Sequence, residues 1–126
     1  MEKLLLLTII STFSCGVWAS DYKYCNSIDL NKLDNLELSE CADTLNAEHL
    51  RKMNSILNTI YLSKTIDPKL KNITKQSQAA FNSYKKIQCS YFDENQGASA
   101  LSSINRELCE SGMNKQRSEV LESILP

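Results

Sequence analysis

Four cysteines, Cys25, Cys41, Cys89 and Cys109, are the residues of this chain best suited to chemistry, with a fifth, Cys15, near the N-terminus. Thiols bind soft metals, attack as thiolates, or pair as disulfides. Metal binding wants clustered ligands, yet there is no CxxC or HxxxH spacing and His49 is the single histidine. Nucleophilic catalysis wants a base beside a free thiolate, and His49 falls on the apolar stripe of a predicted helix, where a packed imidazole is expected. Glu37, Glu40, Asp43 and Glu48 occupy the first half of that helix, a placement that favours its dipole and water over an acid/base pair. Lys85-Lys86 reads as the wet side of a helix, no glycine-rich phosphate loop is present, and the sequon Asn72-Ile73-Thr74 lies inside a predicted helix. No set of nucleophile, base and stabiliser emerges, so the expectation is a protein that is not an enzyme and carries no metal or cofactor.

That leaves pairing. Four cysteines in a small exported domain read as two disulfides, with three possible connectivities. Cys25–Cys41 with Cys89–Cys109 is preferred: the first folds the N-terminal segment over the first long helix, and the second ties the C-terminal region to the end of the next. Cys41–Cys89 also suits an antiparallel helix pair and stays open. Each closed loop is worth about 3 kcal/mol on the loop-entropy account.

Disulfides imply export, and the start of the chain agrees. Residues 1–19 read as a signal peptide, with Lys3, the apolar run Leu4 to Ile10, and Val17-Trp18-Ala19 before cleavage after Ala19. Lipidation at Cys15 is the competing reading, weakened by Thr12 and Phe13 ahead of it. The apolar run is too short to span a bilayer and no later stretch reaches about 20 apolar residues, so no integral membrane segment is expected in the mature chain. Residues 20–126 then form a single periplasmic or secreted domain. The chain has 14 Lys and Arg against 15 Asp and Glu, and losing residues 1–19 removes only Glu2 and Lys3, leaving the net charge at −1. A nucleic-acid or anionic-membrane partner wants a basic face, which this balance does not offer.

The elements that must position the cysteines are helices. With 3 Gly and 2 Pro in 126 residues, an all-α fold is expected. Ser20 to Leu33 shows little periodicity and reads as an irregular arm pinned by Cys25. Asp34-x-x-Glu37 is a capping box, with Leu33 and Leu38 placed as a hydrophobic staple. From there Leu38, Ala42, Leu45, His49, Met53, Ile56 and Ile60 form a helical stripe to about Leu62, roughly 40 Å long at 1.5 Å per residue. Asp67 and Pro68 start the next helix. Its Leu70, Ile73, Ser77, Ala80, Tyr84, Ile87 and Tyr91 recur at spacings of three and four, with Phe81 alongside, and are expected to be core. The two stripes should bury each other in an antiparallel hairpin. A third helical region, capped by Ser99 and bearing Leu101, Ile104 and Leu108, meets Gly112 and continues to Leu125; one kinked helix and two short ones both fit.

In order and spacing, Cys25, Asp34-x-x-Glu37, Cys41, Met53-Asn54, Gln78-x-x-Phe81-x-x-Tyr84, Cys89, Gly97-x-Ser99, Cys109 and Arg117 resemble the small exported bacterial domain named after the lysozyme inhibitor LprI. The resemblance spans Cys25 to Leu125. Departures are Met53 for Leu, Leu57 for Tyr, Phe81 for Trp, Lys85-Lys86 for Arg-Asp, and Gln96 for the first Gly of a turn. It implies an all-helical, disulfide-stapled periplasmic or surface domain whose partner is a protein, a lysozyme by the family's name. Among the shared polar residues, Asn54, Gln78 and Arg117 are expected to form a hydrogen-bonded cluster that fixes helix register. Tyr91, Phe92, Asp93 and Glu94 are expected to form a loop able to address a cationic enzyme. The alternative is a structural or accessory envelope protein that binds another exported protein without inhibiting an enzyme. An exposed apolar patch favours that role, and a protruding acidic loop favours inhibition.

Overall fold

Two groups of apolar side chains, one at each end of the molecule, decide how the helices lie. The computed structural model describes residues 16–96 and 99–126; Leu4 to Ile10, Cys15 and Gly97 lie outside them. Among the described residues there are four α-helices and no strand: α1 (Gly16–Ser27), α2 (Asn35–Leu62), α3 (Pro68–Gln96) and α4 (Ala100–Glu122), with a 3₁₀ turn at Leu30–Lys32. Two disulfides staple them, Cys25–Cys41 and Cys89–Cys109, with Cα atoms 5.3 and 5.6 Å apart. The all-α, twice-stapled architecture is the one expected from the sequence, and so is the pairing.

The first helix corrects the expected irregular arm. Helix α1 runs to Ser27, and Asp29 then caps the 3₁₀ turn by accepting from the Asn31 amide. The expected cleavage point, Ala19, lies inside this helix. Among its described side chains Cys25 and Tyr22 turn inward, too few to make a period in the sequence. They join Cys41 and Leu45, with Leu30, Leu33 and Leu108 around them.

Helix α2 follows its sequence closely. The Asp34 carboxylate accepts from the Glu37 amide at 2.8 Å, and the buried face is Cys41, Ala42, Leu45, His49, Met53, Ile56, Leu57 and Ile60. A short connection holding buried Ile66 leads to α3, whose first turn is capped by Asp67 accepting from the Lys69 amide at 2.7 Å. Met53, Ile56, Leu57, Ile60, Ile66 and Leu121 form the second apolar cluster, flanked by Tyr61, Phe81, Ile124 and Leu125.

The partnership of these helices needs a second correction. Helix α4 lies against both long helices, parallel to α2 and antiparallel to α3, and the α2–α4 interface is the larger. Helix α3 meets α2 near the connection, through Gln78 on Met53 and the Lys75 ammonium over the Tyr61 ring. Elsewhere it leans on α4. The side it turns inward is Thr74, Gln78, Phe81, Lys85 and Cys89, about 110° round the helix from the apolar stripe. Ile73, Tyr84, Ile87 and Tyr91 of that stripe are 51%, 59%, 72% and 61% exposed. The stripe expected to be core is therefore outside, because Cys89 must face Cys109.

Helix α4 is continuous. Ser99 caps it by accepting from the Ser102 amide at 3.1 Å, and Gly112 passes through without a break. A Cβ at Gly112 would meet nothing within 4 Å. Glycine thus costs helix propensity there without serving packing, and Gly112→Ala is expected to stabilise the protein by about 0.5–1 kcal/mol, read as a higher denaturant midpoint at unchanged slope.

Candidate functional site

The polar residues named from the sequence separate into those the fold gathers and those it disperses. Arg117 of α4 donates from Nε to Gln78 Oε1 at 2.9 Å and from a terminal nitrogen to Ser77 Oγ at 2.8 Å. Gln78 in turn donates to Asn82 Oδ1 at 3.2 Å and to Met53 Sδ at 3.6 Å. Phe81 lies under two cations, Lys85 at 5.4 Å and Arg117 at 5.7 Å from its ring centre. Asn54 is not part of this group. It follows Met53, and the 100° turn per residue that sends Met53 inward carries Asn54 to the exposed side.

A different asparagine does the joining. Asn114, 1% exposed, donates from Nδ2 to Asn46 Oδ1 at 3.1 Å and accepts at Oδ1 from the Lys85 ammonium at 2.9 Å, so one amide links α2, α3 and α4. Burial pushes the Lys85 pKa down, with the nearby Glu110 charge opposing. One turn away His49 is buried, its Nδ1 2.9 Å from Ser111 Oγ and its Nε2 3.4 Å from the Tyr22 hydroxyl, with the Tyr22 ring edge-on. Burial depresses the imidazole pKa. A histidine with both nitrogens engaged and no thiolate near is a structural group. Every fully buried side-chain nitrogen and oxygen among the described residues has a partner.

The expected Tyr91–Glu94 loop is also corrected, since all four residues lie in the last turns of α3. Asp93 holds them there: it accepts from Arg106 at 3.2 Å and from the Ser102 hydroxyl at 3.4 Å, drawing the end of α3 onto α4. Phe92 is half-buried, while Tyr91 and Glu94 are exposed.

The surface with the most unusual electrostatics was not singled out by spacing. Two shallow grooves meet at Asp43: one runs along Tyr24, Glu37 and Glu40, the other along Leu36, Ile104 and Glu107. Burial, then a hydrogen bond to Asp43 and the charges of Asp43 and Glu110, push the Glu107 pKa up to about 7, with Arg106 opposing. From α3, Lys86 and Asp93 border the same ground. A carboxyl retaining its proton near neutrality reports burial first, and the neighbouring carboxylates of Asp43 and Glu110 second. Its sequence signal, acids on α2 and α4 some sixty residues apart, needs the parallel docking of those helices to be read. Among the described residues no group of three or more His, Cys, Asp and Glu could hold a metal ion. No helix there is long and apolar enough to cross a membrane.

No known protein family, characterised protein or solved structure matches the chain. The geometry itself must carry the functional reading.

Two outcomes test this description. Asn114→Ala leaves the Lys85 ammonium and the Asn46 amide without their partner, and is expected to cost about 2–4 kcal/mol in chemical denaturation. Glu107 holds in the folded state a proton that the unfolded chain releases near its ordinary value of 4.5, so its contribution is full below that pH and is lost as pH rises through about 7. His49 works in the opposite sense, destabilising as pH falls below its ordinary 6.5. Comparing Glu107→Gln with the parent isolates the first: the variant should gain stability relative to the parent as pH rises from about 5 to about 8.

Proposed function

We propose that the protein is an exported, non-enzymatic binding domain that receives a cationic protein on the face around Asp43. The observation that carries this reading is the Asp43–Glu107 pair, with Glu37, Glu40 and Glu110 near it and exposed Tyr24 and Leu36 beside it. Acidic groups around an aromatic and an apolar anchor suit a basic protein surface: the charges steer the encounter and the anchors supply contact area. A partner's lysine or arginine entering the groove would displace the Glu107 proton, which makes binding weaker at lower pH. Export is supported by the two disulfides, which persist in oxidising compartments.

The partner class comes from the resemblance to the LprI family, which points to a lysozyme. Several residues that carry the resemblance are neighbours in space: Cys25 with Cys41, Cys89 with Cys109, and Gln78 and Phe81 with Arg117. A second reading, an accessory envelope domain that inhibits nothing, is favoured by the exposed apolar stripe of α3 and by the absence of a protruding acidic loop at Tyr91–Glu94.

Lysis of bacterial cell walls by several lysozyme classes, titrated with the oxidised protein, decides between them. Under the inhibitor reading inhibition is saturable, falls with added salt, and is weakened at least about tenfold by Glu40→Lys with Asp43→Lys. Inhibition of no class leaves the accessory role.

A further inference from the structure

The outward stripe of α3 is a heptad seam whose large side chains have no partner among the described residues of the monomer. Leu70, Ile73, Ala80, Tyr84, Ile87 and Tyr91, with Ser77 completing the series, repeat at alternating spacings of three and four for three heptads, a length of roughly 32 Å. Apart from Ser77, whose hydroxyl accepts from Arg117, the interior contacts of α3 lie on another side, so among the described residues the large side chains of this series pack against nothing within the chain. Large side chains have bare surfaces on the order of 200 Å², so the exposed fractions amount to roughly 600 Å², against the ~800 Å² per partner of a standard interface. A single exposed apolar side chain needs no explanation, but a continuous ridge of this size does.

We propose that this seam pairs with the same seam of a second copy, antiparallel about a two-fold axis. The distribution of charge selects the occupant. The flanks beside the seam carry Gln76, Ser83 and Gln88, all uncharged, and the charges nearest the ridge are exposed Lys69 at its start and exposed Glu94 at its end. Antiparallel pairing of two identical helices brings Lys69 of each copy beside Glu94 of the other, at both ends. Parallel pairing sets like charges together. Antiparallel alignment also opposes the two helix dipoles favourably.

Side-chain size makes the same choice. The seam is small in its middle and large toward its C-terminal half, so a parallel partner would set Ser77 against Ser77 and Tyr84 against Tyr84. Turned end for end, Ala80 faces Tyr84 of the second copy, Ser77 faces Ile87, and Ile73 faces Tyr91, each large group meeting a smaller or aliphatic one. The arrangement is isologous and closes on itself. It leaves the Asp43 face free on both copies and stands or falls apart from what that face binds.

The test is sedimentation equilibrium of the oxidised protein over micromolar concentrations, with far-UV circular dichroism to check that helix content is kept. A dimer is expected. Ile87→Glu changes a side chain that is 72% exposed in the monomer, so the fold should persist while the dimer dissociation constant rises at least ~100-fold. Lys69→Glu should weaken the dimer about tenfold, and adding Glu94→Lys to it should restore the parent value. A parent protein that stays monomeric overturns the proposal, whether the seam is then covered by Leu4 to Ile10 of its own chain or by another protein. A dimer indifferent to Ile87→Glu overturns it as well, and failure of the charge swap to restore affinity overturns the antiparallel arrangement.

Discussion

The Cys89–Cys109 disulfide sets the rotation of α3, and most of what is distinctive about the molecule follows from that rotation. A bond that holds two Cα atoms 5.6 Å apart leaves one side of α3 available to α4, the side that carries Cys89. The residues at helical spacing from Cys89 on that side are Lys85, Phe81, Gln78 and Thr74, three of them polar. The apolar ridge is turned away by the same geometry. By hydrophobicity alone the ridge is the better face to bury, so the covalent link and the hydrogen bonds it aligns override the general preference for apolar burial.

Those hydrogen bonds form a middle layer between two apolar clusters. At one end Cys25, Cys41 and Leu45 gather α1 onto α2 and α4; at the other Met53, Ile60 and Leu121 gather the far ends of α2 and α4. Between them lie His49, Ser111, Asn46, Asn114, Lys85, Gln78 and Arg117. Apolar side chains tolerate sliding, since one contact resembles the next. An amide that must meet Asn46 on one helix and Lys85 on another does not, because a shift of a single residue leaves a buried group without a partner. The layer therefore contributes register more than raw stability.

How far the sequence could be read follows the same division. Local chemistry was legible: the Asp34 cap, the α2 stripe from Ala42 to Ile60, the Asp67-Pro68 start and the Ser99 cap all depend on residues within a few positions of each other. The disulfide pairing was legible as a preference, since each bridge joins cysteines 16 or 20 residues apart, while helical spacing alone left Cys41–Cys89 open. Helix α1 was not, since Ser20 to Leu33 shows little apolar periodicity. The rotation of α3 was hidden for a more instructive reason. Hydrophobic period identifies a helix and its apolar side, but it cannot say whether that side meets the same chain or another one. Asn54 was placed one residue away from the inward Met53, and the asparagines that do join the helices, Asn46 and Asn114, belong to helices whose parallel docking no local pattern announces. The acid pair Asp43 and Glu107 was missed on the same ground.

The two surfaces left over differ in the kind of contact they can make. Around Asp43, burial and the neighbouring carboxylates together keep a proton on Glu107, so a cation received there under the proposed reading would exchange with that proton and respond to salt and pH. Along α3 the ridge is long and apolar with exposed charge only at its two ends, so pairing through it would depend mainly on area and fit, with Lys69 and Glu94 setting the direction. A chain that met one partner through one surface would need only one of these. The covalent link that turns the ridge outward leaves the acidic face, built from α2 and α4, untouched, so the two surfaces are structurally independent of each other.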